Sequence, residues 1–208
     1  KENNERYNSY LPTLDEYLST ITNTVEELGI SDNTVLILFS DHGASIGEKN
    51  GEKFYGVFTY DYTIKVFCMF YQFNNKSKII DKQCRTIDIF PSVLELAGIV
   101  NNSEQIQGKS LLSFLNNSDE SERTVFVETG GLYGPWPSPE KHTIFCIRKN
   151  DKKLIYNDTP ETWEFYNLID DPDELNNIYD ENSHEISELK KILLLHMAEQ
   201  QINTKISP

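Results

Sequence analysis

Apolar residues recur at every third or fourth position over the first helix-length segment of the chain. The positions are Tyr7, Tyr10, Leu11, Leu14, Leu18, Ile21, Val25 and Leu28. This spacing places them on one stripe of an α-helix. Gly29 follows them, where the end of a helix favours glycine. We therefore predict an amphipathic helix over residues 7–28.

Two apolar runs of strand length come next. Residues 34–39 form an uninterrupted, partly β-branched run, which is typical of a central strand covered on both faces. A second buried strand is predicted over residues 64–71. Helical spacing returns over residues 87–96, with a proline early in the segment and a glycine after it. This first part of the chain therefore reads as α/β.

The pattern changes to short β-like runs in the last third of the chain. Turn-forming residues separate these runs, which lie at 124–128, 143–148, 153–156 and 164–168. A final stretch, 185–200, again has helical spacing. We predict two units: an α/β unit over residues 1–122, and a small antiparallel sheet with a packed terminal helix over residues 123–208.

Composition and charge narrow the possible functions. The chain has 208 residues with 38% hydrophobic and 25% charged residues, the balance of a folded protein. Its formal net charge of −14 opposes phosphate backbones and anionic lipids, so we expect no nucleic-acid partner. No run approaches the roughly 18 apolar residues of a membrane helix, so we expect no membrane span. The three cysteines form no metal-binding pattern.

The first candidate site follows the predicted strand over residues 34–39. Asp41 and His42 stand at the carboxyl end of that strand, where open α/β sheets bind their ligands. A carboxylate held at the end of a rigid strand suits a hard divalent cation such as Ca²⁺. The residues alone fit equally well a local turn in which Asp41 bonds the backbone.

Five stretches, in order along the chain, resemble the sulfatases of the alkaline-phosphatase superfamily. Residues 32–43, DNTVLILFSDHG, resemble the strand and SDHG motif of that family. The others are YDYTIKV at 60–66, IDIFPSVLELAGI at 87–99, QGKSL at 107–111, and the pair KKLIYN at 152–157 and EFYNLIDDPDELNN at 164–177. The resemblance covers nearly the whole chain but only the C-terminal part of such an enzyme.

The resemblance implies the C-terminal part of an alkaline-phosphatase-like α/β sandwich and the hydrolysis of sulfate esters, carried by a small molecule or a glycan. It implies Ca²⁺ or another divalent cation, with Asp41 as a ligand. His42 would bind the cation, contact the sulfate or take up the leaving-group proton. The family nucleophile is a formylglycine made in a CxPxR motif, and no cysteine here is followed by proline two residues on. We expect the nucleophile in an N-terminal portion outside these residues, and this part alone to be inactive.

One position departs from the family pattern. The sulfate-binding lysine of the family stands four residues before the tyrosine matched by Tyr60, which is Gly56 in this chain. Lys53 is the nearest cation and could reach a sulfate oxygen, with Tyr55 as a hydroxyl donor. Equally, Lys49 and Lys53 could be solvated loop charges. The departure leaves open a phosphodiesterase or phosphotransferase of the same superfamily, or a non-catalytic homologue. Oligomeric state and compartment are not predicted.

Overall fold

The chain folds into helices and two separate antiparallel sheets. The computed structural model describes residues 2–49, 55–73, 77–100, 105–116, 122–133, 141–158 and 161–206. The helices are α1 Glu2–Asn8, α2 Leu11–Glu27, α3 Asp61–Ile64, α4 Ile89–Leu96, α5 Ser113–Asn116 and α6 His184–Ile206. The strands are β1 Val35–Phe39, β2 Cys68–Gln72, β3 Val125–Tyr133, β4 Lys141–Lys149, β5 Lys152–Asn157 and β6 Thr162–Asn167, and 3-10 turns lie at Ser31–Asn33 and Thr86–Asp88.

The predicted first helix is interrupted, and α1 and α2 share its range. Pro12 lies in the first turn of α2, where its missing N–H needs no helical partner. The same proline could not continue a helix from the residues before it, since an interior proline removes a hydrogen bond. Gly29 follows α2 with a φ of 67°, as its position after a helix predicts.

The first sheet pairs β1 with β2 in antiparallel register, with Leu36 opposite Tyr71 and Phe39 opposite Cys68. The prediction of a buried strand over residues 64–71 is wrong at its start, because residues 61–64 form the helical turn α3. It is also wrong in burial, since Met69 is 46% exposed. Within the described residues this sheet has two strands, too few to enclose a core by themselves.

The second sheet is a four-stranded meander in the order β3-β4-β5-β6. Because side chains alternate between the two faces of a strand, each face contributes to a different cluster. One face packs on α6, through Ile147, Leu154, Phe165, Ile186, Leu189 and Leu193. The opposite face packs on Tyr60 through Ile144, Cys146, Ile155 and Tyr166. The predicted antiparallel sheet and packed terminal helix are confirmed.

Helix α6 covers its face of the sheet with residues spaced three and four apart. Ile186, Leu189 and Leu193 are almost fully buried, and each such side chain contributes about 1.5–3 kcal/mol through burial. His196 stacks on Phe126 of β3, with ring centroids 3.9 Å apart. None of the helices in the described ranges has the length and apolar character needed to cross a bilayer.

A buried carboxylate, Asp88, joins three parts of the chain ahead of the second sheet. Its side chain is fully buried and pairs with Arg85 and Arg123, each at 2.9 Å. It also accepts the Lys109 N–H at 2.9 Å. Gly108 allows this approach, because a Cβ there would lie 1.9 Å from the Ile87 carbonyl oxygen. Asp88 thereby ties α4 to residues 108–109 and to the chain entering β3.

A second buried network ties residues 57–63, which we call the anchor segment, to the second sheet. The Lys153 ammonium of β5 is fully buried, 2.8 Å from Asp61 Oδ1 and 2.7 Å from Glu174 Oε1. Arg148 of β4 pairs with Asp61 Oδ2 at 3.0 Å. The Asp61 N–H donates to Glu174 Oε2 at 2.6 Å. The start of α3 is therefore fixed to the sheet by charged groups on three sides.

We expect Asp88→Ala to destabilise the protein by about 3–5 kcal/mol, because it leaves buried guanidinium groups without their carboxylate. Urea unfolding followed by circular dichroism measures this loss. Asp173→Ala, at an exposed carboxylate, is the matched control and should stay within about 0.5 kcal/mol of the wild type. Equal effects of the two substitutions would contradict the role of Asp88.

The contribution of Asp88 to stability should also depend on pH. Burial alone would raise the pKa of Asp88, but bonds from Arg85, the Lys109 amide and Arg123 lower it below the ordinary value of 3.8. The stabilisation is therefore complete above that ordinary value and is lost as pH falls through the folded-state pKa. The stability difference between wild type and Asp88→Ala should shrink in strong acid.

Candidate functional site

The candidate site begins where β1 ends. Asp41 and His42 follow the strand directly, and the Asp41 side chain is 83% exposed. Its Oδ1 accepts the His42 N–H at 2.9 Å, which fixes the carboxylate against the backbone. His42 Nδ1 lies 2.7 Å from the Gly43 carbonyl oxygen, so Nδ1 carries a proton and donates it to that oxygen. In the neutral ring, Nε2 then presents a lone pair.

The second Asp41 oxygen and His42 Nε2 face a common space. Asp41 Oδ2 lies 3.7 Å from Nε2, too far for a direct hydrogen bond. With a neutral His42 ring, two electron-pair donors at this separation can share a divalent cation. With a protonated ring, Nε2–H would point at the carboxylate instead. The donors therefore fit part of a cation site. Calcium takes six to eight oxygen ligands, and the described residues contain no group of three or more metal-binding side chains.

Tyr55 completes the cluster that the structure describes. Its ring stacks on His42, with centroids 3.8 Å apart and planes at 27°. The side chain is 52% exposed, so one face of the ring and the hydroxyl are open to a ligand. The structure thus brings together three of the predicted site residues, Asp41, His42 and Tyr55. Lys53, the fourth predicted site residue, lies outside the described residues, and its role stays a prediction.

The three residues line one end of a large open cleft. Its volume is ≈ 1720 Å³, and its walls come from both sheets. Val127 and Thr129 of β3 line it as well, and so does His196 of α6. A cleft of this size exceeds the usual range of about 300–1,000 Å³ for small-molecule pockets, so it has room for a sugar and for further protein groups.

Gly43 sets the position of this cluster. Its N–H donates to the Thr63 carbonyl oxygen at 2.7 Å. A Cβ at Gly43 would lie 2.2 Å from the Tyr62 carbonyl oxygen, so no larger residue fits without a backbone shift. The turn that carries Asp41 and His42 therefore lies directly on the anchor segment.

Lys49 is not a solvated loop charge, which corrects one reading of the sequence. Its ammonium lies 3.3 Å from the centroid of the Tyr60 ring and 5.0 Å from that of Tyr166. Burial lowers the pKa of Lys49 and outweighs the attraction of Glu164 and Glu174. A cation over aromatic faces is held by the ring quadrupole. Lys49 therefore pins the far end of the loop that begins at Asp41.

Sequence reasoning missed Glu164, which organises the contacts beneath Lys49. Glu164 Oε2 accepts the hydroxyl protons of Tyr60, at 2.8 Å, and of Tyr166. Its Oε1 accepts the Asn157 side-chain amide at 2.8 Å. Burial and the Glu164 carboxylate raise the pKa of Tyr60, which keeps its hydroxyl a donor. The sequence pattern that could have indicated this network is a pair of polar residues, Asn157 and Glu164, at inward positions of strands whose other inward residues are apolar.

Two family models match the chain. The model described as N-sulphoglucosamine sulphohydrolase, C-terminal, matches residues 51–203. The model described as Sulfatase matches residues 1–99. Together they span residues 1–203, a range that includes all five motifs.

Individual relatives agree with these matches. An N-acetylglucosamine-6-O-sulfatase of Bacteroides thetaiotaomicron is 29% identical over 92% of this chain, which spans 35% of that relative. A solved structure of a protein in complex with its substrate D-glucosamine-2-N,6-O-disulfate aligns with a TM-score of 0.68 and 26% identity. That alignment covers 92% of this chain and 38% of the other.

A more distant structure shares the fold alone. The phosphonate monoester hydrolase of Silicibacter pomeroyi aligns with a TM-score of 0.73 at 17% identity, over 89% of this chain and 38% of the other. Together with the sulfatase match, it confirms the predicted fold class. The division at residue 122 stays a prediction.

We expect Gly43→Ala to displace the turn that carries Asp41 and His42, because the new Cβ would meet backbone at 2.2 Å. Relieving such an overlap typically costs about 1–3 kcal/mol. Ala44→Ser adds one atom at the exposed neighbouring position and serves as the control. Thermal unfolding measures both. A melting temperature for Gly43→Ala as high as that of the control would show that the turn has room to spare.

Proposed function

Because this chain belongs to the sulfatase family, we propose that it forms part of a metal-dependent enzyme that hydrolyses sulfate esters. The observation that carries the proposal is the exposed Asp41–His42 donor pair at the end of β1, opening on the large cleft. Polar groups at this end of a strand are where α/β sheets bind ligands. The chain spans 35% of the N-acetylglucosamine-6-O-sulfatase it matches, so the proposal concerns the whole protein.

In this proposal Asp41 and His42 supply part of a divalent cation site, and Ca²⁺ suits the carboxylate oxygen. A bound cation would act as a Lewis acid that neutralises charge on the sulfate oxygens. The remaining ligands and the formylglycine nucleophile come from protein outside these residues.

The residues of this chain have distinct tasks in the proposed reaction. Gly43 fixes the turn on the anchor segment, so that the Asp41 oxygens stay in place as charge develops nearby. His42 holds its Nδ1 proton on the Gly43 carbonyl oxygen, so Nε2 is the ring atom whose lone pair would bind the cation. Tyr55 shields one face of that imidazole from water. Lys53 would add a positive charge at the sulfate.

We propose a sulfated sugar as the substrate class. The exposed ring of Tyr55 beside His42 offers a flat apolar face of the kind on which sugar rings pack. A relative named as a sulfatase of N-acetylglucosamine and a structure bound to a glucosamine disulfate support the same class. Other parts of the cleft set the identity of the sugar and the position of its sulfate.

A phosphoryl-transfer enzyme is the second candidate. The specific observations in its favour are Gly56 at the position of the family lysine and the fold shared with a phosphonate monoester hydrolase. Such an enzyme would use the same donor pair on a phosphorus centre. The two candidates differ in which ester the whole protein cleaves.

The deciding experiment assays the full-length protein with an aryl sulfate and a bis-aryl phosphate, with and without a chelator. We expect turnover of the sulfate that stops on chelation and returns with added Ca²⁺. Asp41→Asn should lower kcat/KM by about 100-fold or more, as removal of a charge-stabilising group typically does. Asp15→Asn, at an exposed carboxylate of α2, is the control.

Three results would count against the proposal. Turnover of the phosphate ester alone would favour the second candidate. Full activity in Asp41→Asn would remove that residue from the site. Absence of turnover of either ester, once mass spectrometry has confirmed formylglycine, would indicate a non-catalytic homologue.

Tyr55 gives a separate prediction about the sugar. We expect Tyr55→Ala to raise KM for a sulfated monosaccharide by about 2- to 10-fold, the range of a single aromatic contact. Tyr55→Phe keeps the ring and removes the hydroxyl, so it isolates the hydrogen bond. If Tyr55→Phe raises KM as much as Tyr55→Ala does, the hydroxyl and not the ring face binds the substrate.

A further inference from the structure

The residues of the candidate site are held in place by contacts with another segment of the chain. The site loop, residues 41–49, touches the anchor segment at both of its ends. At one end the Gly43 N–H donates to the Thr63 carbonyl oxygen at 2.7 Å. At the other, the Lys49 ammonium lies 3.3 Å from the Tyr60 ring centroid. The geometry of the site therefore follows the position of residues 57–63.

The anchor segment is in turn held by charged side chains of the second sheet and the loop after it. Asp61 lies between these groups, with Lys153 on one carboxylate oxygen, Arg148 on the other, and Glu174 accepting its N–H. Lys153 and Glu174 are 0% and 1% exposed. Because Lys153 and Glu174 are shielded from water, the loss of a charge at either one is not compensated by solvent.

We propose that Lys153 and Glu174 are positioning residues for the Asp41–His42 site, acting through Asp61 and the anchor segment. Neither side chain touches the reacting atoms. Without the Lys153 charge, the buried Glu174 would lose its cation and Asp61 would keep only Arg148, so repulsion between the two carboxylates would move Asp61 away from Glu174. Thr63 lies two residues beyond Asp61, so its carbonyl oxygen, and with it Gly43, would move as well. This inference rests on the proposed function only where it predicts a loss of catalytic activity.

Asp88 supplies a matched control for this inference. It is equally buried and equally charge-paired, yet its partners Arg85, Arg123 and the Lys109 amide lie outside both the site loop and the anchor segment. A purely structural role for Lys153 predicts that variants at Lys153 and Asp88 behave alike. A positioning role predicts that only the Lys153 variant disturbs the site.

The test compares Lys153→Met, Glu174→Gln and Asp88→Asn in the full-length protein. Hydrogen exchange by mass spectrometry reports on the site loop without reference to activity. We expect Lys153→Met to speed exchange of the Gly43 amide by about tenfold or more through local opening. Asp88→Asn should lower the melting temperature while leaving exchange in the site loop unchanged.

Kinetics on an aryl sulfate provide the second readout. We expect Lys153→Met to lower kcat/KM by about 10- to 100-fold, the range for a small displacement of reacting groups by a remote change. Most of the loss should fall on kcat. Asp88→Asn should keep kcat/KM near the wild-type value at temperatures where it remains folded.

The outcomes separate this inference from the proposed function. If the wild type hydrolyses no sulfate ester, the proposed function fails, and the exchange of Gly43 alone decides the positioning role. Unchanged exchange of the site loop in Lys153→Met, or equal changes in Asp88→Asn, would overturn it. If Lys153→Met does not fold, the isosteric Glu174→Gln carries the same comparison, because it keeps an oxygen for the Asp61 N–H.

Discussion

The contact on which the arrangement of this chain depends is a fully buried ammonium, that of Lys153, between the carboxylates of Asp61 and Glu174. Burial works to lower the pKa of Lys153, but neighbouring Cys146, Asp61 and Glu174 overcome it and raise the pKa. The lysine is therefore charged, and a buried charge is tolerated only with its partners in place. One of those partners belongs to α3, outside the second sheet, so this ion network joins α3 to that sheet.

Charged groups join these segments because the apolar contacts of the chain are unevenly distributed. The second sheet has cover on both faces, with α6 on one and Tyr60 on the other. The first sheet has two strands among the described residues, and large side chains such as Phe39 and Met69 are about half exposed. Asp88 fixes the segments ahead of the second sheet, and Lys153 adds directed bonds to an anchor segment that also packs on that sheet through Tyr60. A hydrophobic cluster tolerates sliding, whereas these bonds have defined directions and distances.

The sequence predicts the elements well where one periodicity persists over many residues. The α6 stripe and the alternating strands of the second sheet have such patterns, and both were found. The prediction fails at residues 61–64, where Asp61 begins a helical turn and its N–H donates to Glu174, more than a hundred positions away. Asp41 and His42 were proposed as site residues from a motif, but the contacts that support them were not predicted. Lys153 stands in an apolar strand, and nothing local reveals that its partners are Asp61 and Glu174.

The cations of this acidic chain matter for the proposed chemistry, because an anionic substrate needs positive charge near it. Lys153 and Arg148 are paired with Asp61, and Arg85 and Arg123 with Asp88. Lys49 is held over Tyr60, with a pKa lowered by burial. In a chain with a net charge of −14, these five cations serve the fold and not an anionic ligand. Binding a sulfate beside the Asp41 carboxylate then requires positive charge from another source. A divalent cation at Asp41 would supply it, because the carboxylate that repels the sulfate is the group that would bind the metal.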